Sequence, residues 1–206
     1  MKIRITPGAV LLLAVQLFTD SPLFVAGMLA ALFHECGHLL AARLLRIPLR
    51  LLEIDLMGAR IYPAGALPSY RAEGLLAMAG PTASLLLALP LIGSSSPLLA
   101  ALRFSTLSFA LFNLLPIEGF DGGRMLFALL AARFHEKAAE RVLFFTSYLS
   151  LLLLFSLSSC LLLRYGENAT LAVLTASLFA RLFLSLDQPC GRCRQSHVKK
   201  RGFGRI

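Results

Sequence analysis

Long runs of apolar side chains set the strongest limit on what this chain can fold into. A helix needs about 20 consecutive apolar residues to cross ~30 Å of hydrocarbon. Runs near that length occupy Leu23–Leu45, Gly74–Ile92, Leu98–Leu115, Val142–Leu163 and Thr170–Leu186. A shorter one, Gly8–Phe18, must tilt, thin the bilayer or lean on its neighbours. Gly123–Arg133 is also apolar but carries Arg124 and ends at Arg133, which predicts a short helix inside the bundle or at its edge. The chain is 57% hydrophobic and only 15% charged, where soluble domains run nearer a quarter charged. The prediction is an all-α integral membrane protein with about six transmembrane helices.

Charge refines that picture. Twenty Lys/Arg against eleven Asp/Glu give a formal net charge of +9. Six of those basic residues, and no acid, lie in the last nineteen positions, 188–206. The remainder is close to neutral, which argues against a soluble nucleic-acid binder, a disordered chain or a disulfide scaffold. The simplest division is a membrane domain, 1–187, and a basic cytoplasmic tail, 188–206. The tail's cations suit anionic lipid headgroups, at about 1 kcal/mol each, so the bilayer is a predicted partner and nucleic acid is not. Cys36 and Cys160 sit in apolar runs and Cys190 and Cys193 in the tail, a pattern for reduced thiols. Lys2 and Arg4 precede an apolar stretch with no small-residue cleavage site, so the start is expected to stay as a membrane segment.

The connections alternate in charge. Arg46, Arg50, Arg60 and Arg71 crowd one, Gly93–Pro97 has none, and Arg124, Arg133, Lys137 and Arg141 crowd the next. By the positive-inside rule this predicts a multi-pass protein of the cell membrane with both termini cytoplasmic. The connection Ile47–Tyr70 also holds Leu52-Glu53-Ile54-Asp55-Leu56, then Gly58 and Ala59-Arg60-Ile61-Tyr62. Period-two alternation around a glycine reads as two short strands, a hairpin at the membrane surface, with a structureless amphipathic loop as the equal alternative.

Inside the second apolar run stands His34-Glu35-Cys36-Gly37-His38. Residues four apart share a helix face, so both imidazoles can reach one ion, with Glu35 beside them to handle protons. That is the HExxH geometry of zinc hydrolases. With four His and seven Glu in the chain, chance supplies roughly 0.003 such matches, so the motif is specific. Three ionisable residues within a membrane span are expensive, and function is the default reading. The bland alternative is a pair of buried histidines satisfied by neighbouring helices, or a proton relay.

Two imidazoles leave a catalytic zinc site one protein ligand short, with water in the fourth position. Asp20, Glu167 and Asp187 fall at segment ends, and Glu136 and Glu140 in a charged connection. Asp121 and its rival Glu118 remain, in Asn113-Leu114-Leu115-Pro116-Ile117-Glu118-Gly119-Phe120-Asp121-Gly122-Gly123. Here Asn, Pro and three Gly break the helix where an apolar span ends. Irregular backbone at such depth is tolerated only when buried in protein or facing water. An ordinary Asp-Gly turn is the competing interpretation.

HECGH in a membrane helix with NLLPIEGFDGG roughly eighty residues later resembles the site-2 protease group of intramembrane zinc metalloproteases (peptidase M50). That group's pattern is HExxH followed by Asn-x-x-Pro-x-x-x-x-Asp-Gly, and Asn113, Pro116, Asp121 and Gly122 fall at those spacings. The resemblance implies that His34, His38 and Asp121 bind one Zn2+ and that Glu35 is the general base, and it favours Asp121 over Glu118. Ala79-Gly80-Pro81 matches a further mark of the group. The group often has prolines where Glu118 and Gly119 stand, and Asn where Ser84 follows Gly80-Pro81. Asn113, Pro116 and Gly122 are implied supporting or substrate-contacting residues. With no PDZ-like insertion between the motifs and short connections, the chain looks most like the stage IV sporulation branch, which processes a pro-sigma factor. The implied partners are a membrane-associated protein substrate and a membrane-protein regulator.

The rival class is a non-enzymatic membrane zinc binder or transporter. Ionisable residues spread along a path would favour it, but here they cluster, and a carrier has no use for Glu35. Cys190, Cys193 and His197 form a weak second metal motif, since a lone CxxC is not specific. His135 is read as solvated, and Cys36 as packing on another helix face than His34.

Overall fold

The computed structural model describes residues 2–5, 22–55, 58–63, 69–165 and 175–179. In chain order these form strand β1 (Lys2–Ile5), helix α1 (Pro22–Leu44), strands β2 (Leu49–Asp55) and β3 (Gly58–Pro63), and helix α2 (Tyr70–Ala88), closed by a 3-10 turn. Helices α3 (Pro97–Asn113), α4 (Asp121–Arg133) and α5 (Glu136–Tyr165) follow, and residues 175–179 are helical. The predicted segment Gly8–Phe18, most of Thr170–Leu186, and Cys190, Cys193 and His197 lie outside the described residues.

Three of the described helices are long and apolar enough to span a membrane: Pro22–Leu44, Tyr70–Leu91 and Glu136–Arg164. The predicted crossing Leu98–Leu115 is shorter than expected, because α3 stops at Asn113 after 17 residues. The six predicted crossings thus have three counterparts of spanning length among the described residues. Gly123–Arg133 falls within α4, which packs on α2 and α5.

The packing inverts the pattern of a soluble bundle. Small residues are buried where α1, α2 and α3 meet, among them Ala26, Ala30, Ala42, Ala77 and Ala110. Large ones face outward, as at Leu86, Phe104, Leu129, Phe145 and, at 88% exposed, Leu163. Lipid tails are as apolar as leucine, so helices there associate through small residues that let backbones approach. Gly37 shows how closely: a Cβ on it would lie 2.5 Å from the Ala79 carbonyl oxygen of α2.

The alternating segment forms β2 and β3, paired antiparallel with Leu52 opposite Ile61 and Asp55 opposite Gly58. β1 adds to the other edge of β2 in parallel, from Lys2 opposite Leu51 to Ile5 opposite Ile54. The sheet therefore has three strands, in the order β1-β2-β3. The sequence reading has no counterpart of β1, because four residues are too few to establish a period. The molecule is thus mostly helical with a small mixed sheet, of which β1 is the strand that the sequence reading lacks.

Candidate metal centre

The helical period of α1 places His34 and His38 on one face, and both are buried, at 2% and 6% exposed. Asp121 arrives by a different route. Asn113, the last residue of α3, donates its side-chain amide to the Phe109 carbonyl of its own helix. The chain then turns back, with Gly119 at φ 97°. Ser147 of α5 accepts a hydrogen bond from the Glu118 amide at 2.8 Å and donates to the Pro116 carbonyl at 3.4 Å. Ile117 is buried against Leu151 and Leu178. The break passes so near α4 that a Cβ on Gly122 would stand 2.1 Å from the Leu114 carbonyl oxygen. Asp121 follows as the first residue of α4, where the positive end of the helix dipole favours a carboxylate.

Three ligand atoms converge. Asp121 Oδ2 lies 3.0 Å from His34 Nε2 and 3.0 Å from His38 Nε2, and the two Nε2 atoms lie 3.2 Å apart. Ligands on a tetrahedral zinc, bound at 2.0–2.2 Å, stand about 3.3 Å from one another. The triangle therefore has the dimensions of one face of a zinc tetrahedron. Its donors fit as well. His38 Nδ1 is 2.8 Å from the Leu76 carbonyl oxygen, which can only accept, so Nδ1 carries the hydrogen. In the neutral ring, Nε2 then presents a lone pair toward His34 and a carboxylate oxygen. A lone pair facing a carboxylate oxygen at 3.0 Å is an arrangement that a cation between them would satisfy.

Outer partners hold the triangle. Ser84, fully buried, places its hydroxyl 3.1 Å from His34 Nδ1, so each imidazole is oriented through its far nitrogen. Arg124 Nη1 is 3.6 Å from the other Asp121 oxygen, Oδ1. The Phe109 ring of α3 lies 5.7 Å from that of His34. Gly80 lets α2 pass directly over the imidazoles: a Cβ there would stand 2.2 Å from His38 Nε2 and 2.7 Å from His34 Nε2.

Among the described residues, His34, His38 and Asp121 form the single group of His, Cys or acidic side chains close enough to share an ion. Glu118 is exposed and outside it. Glu35 is half-buried beside the cluster without joining it, and Cys36 and His135 are exposed. Sequence reasoning missed Arg124 as a neighbour of Asp121, although their spacing of three on a helix is the available signal. It also assigned no task to Gly80 or to the Leu76 carbonyl.

Residues 92–157 match the model of Peptidase family M50. The match takes in Asn113, Pro116 and Asp121 but not His34-Glu35-Cys36-Gly37-His38, so the two motifs are independent observations. No curated protein matches significantly. Among solved structures, the fold is similar to that of the site-2 protease from Methanocaldococcus jannaschii, with a TM-score of 0.57 and 21% sequence identity over 89% of this chain and 91% of that one.

Proposed function

We propose that the chain is a zinc-dependent intramembrane endopeptidase that cleaves a membrane-embedded or membrane-associated protein precursor. The observation that carries this reading is the buried His34, His38 and Asp121 triangle of zinc dimensions, set among apolar helices with outward-facing leucines. The match to Peptidase family M50 supports it.

His34 and His38 of α1 and Asp121 of α4 would hold the ion. Zinc held there would lower the pKa of a water toward ~7 and polarise a substrate carbonyl. Glu35, next to His34 on α1, accepts the proton of the attacking water and returns it to the leaving amine. His38 stands six residues before the end of α1, about 9 Å at 1.5 Å per residue. The reaction would thus occur inside the membrane near the end rich in Arg43, Arg46, Arg71, Arg133 and Lys137, the cytoplasmic one by the positive-inside rule. A helical substrate hides its scissile carbonyl in intrachain hydrogen bonds and must unwind first. Strand addition to an edge of the β1-β2-β3 sheet would hold it extended.

The finer reading is a multi-pass cell-membrane protein with six crossings, both termini in the cytoplasm and a membrane-protein regulator. Its short connections favour a sporulation pro-sigma factor as precursor. Co-expression with candidate membrane-tethered precursors tests the activity. The wild type should release a shortened product, and Glu35→Gln should release none while keeping zinc bound. Full cleavage by Glu35→Gln removes Glu35 as the base, and zinc flux through proteoliposomes without cleavage favours a transporter.

A further inference from the structure

The two oxygens of the Asp121 carboxylate have different neighbours. Oδ2 faces both imidazoles at 3.0 Å, whereas Oδ1 faces Arg124 Nη1 at 3.6 Å. Arg124 stands one turn further along α4, its side chain 33% exposed. We propose that Arg124 is a positioning residue that restricts Asp121 to one-oxygen coordination and so keeps the fourth position of the ion open. The inference rests on the zinc reading above.

Carboxylates grip metal ions through one oxygen or both. A two-oxygen grip by Asp121 would add a ligand to a site that must keep one place for water and substrate. A permanent cation on Oδ1 opposes that rotation, because turning Oδ1 toward the ion forfeits the ion pair. Arginine suits the task, since its guanidinium stays charged and its planar fork matches carboxylate geometry. The pair is also self-consistent in an apolar bundle, where an unpartnered cation is costly. A role confined to membrane orientation would need only a positive charge at this depth, with no requirement that it face Oδ1.

The test uses the purified full chain loaded with cobalt(II), whose visible absorption is intense when four-coordinate and weak when five-coordinate. The wild type should give the intense spectrum. Arg124→Gln should give the weaker one. Arg124→Lys, which keeps the charge without the fork, should fall between them, and it serves as the test should Arg124→Gln fail to fold. A wild-type spectrum in Arg124→Gln, or in Arg124→Lys when only that variant folds, overturns the proposal. The zinc reading fails separately, if a variant carrying both His34→Ala and His38→Ala binds cobalt as tightly as the wild type.

Discussion

His34 and His38 stand on an unbroken stretch of α1, whereas Asp121 stands where α3 has ended and α4 has just begun. The helical period alone brings the two imidazoles together, and it would do so in any helix of this sequence. The carboxylate reaches the same point only because a turn folds back on Gly122, is clamped by Ser147 and is anchored by Ile117. One side of the centre is thus locally determined, and the other depends on distant residues, Ser147 being 29 positions from Glu118 and Leu178 61 from Ile117. Zinc bound between them would tie the two elements, so part of its binding energy would be folding energy.

Substitutions can break this contrast. The largest effect is expected from Asp121→Ala, which should strip most of the zinc, abolish cleavage and loosen the bundle. Elemental analysis and proteolytic sensitivity of the purified protein measure this, and retention of both metal and activity would assign the third ligand elsewhere. Gly80→Ala comes next. It changes no ligand but drives a methyl group into both imidazoles, so metal affinity should fall well beyond the ~1 kcal/mol by which alanine ordinarily outperforms glycine in a helix. A normal zinc titration in that variant would mean that α2 does not lie over the site.

Ser147→Ala sharpens the comparison instead. It leaves the Glu118 amide without its side-chain partner, at a cost of about 1–3 kcal/mol. Zinc affinity should drop severalfold through Asp121 alone, and an equal drop from a helix-destabilising change in α1 away from the histidines would erase the distinction. The smallest effect is expected from Glu118→Gln. Glu118 is exposed and outside the triangle, so zinc content should match the wild type. Metal loss there would restore Glu118 as a ligand candidate.

The same contrast explains what the sequence reveals. A spacing of four inside one apolar run defines the histidine pair directly, and the apolar runs locate α1, α2 and α5. Asp121 and Glu118 are indistinguishable on composition, because both lie in one irregular stretch. The family resemblance favours Asp121, and the path of the turn separates the two physically, burying Asp121 and exposing Glu118. Ser84 lies 50 positions from His34, and no periodicity links them. β1 pairs with residues some fifty positions ahead, a long-range contact that four residues of sequence do not announce. The end of α3 at Asn113 is written in the residues, yet its effect on spanning length emerges only when helix and turn are seen together.

The two imidazoles also differ in what steadies them. His34 leans on a hydroxyl that a single codon change can replace, while His38 leans on the main-chain oxygen of Leu76, present whatever residue occupies that position. Sequence drift at position 84 can therefore retune the electron donation and tilt of one ligand gradually. The other is tied to the course of the α2 backbone and changes only when that helix moves.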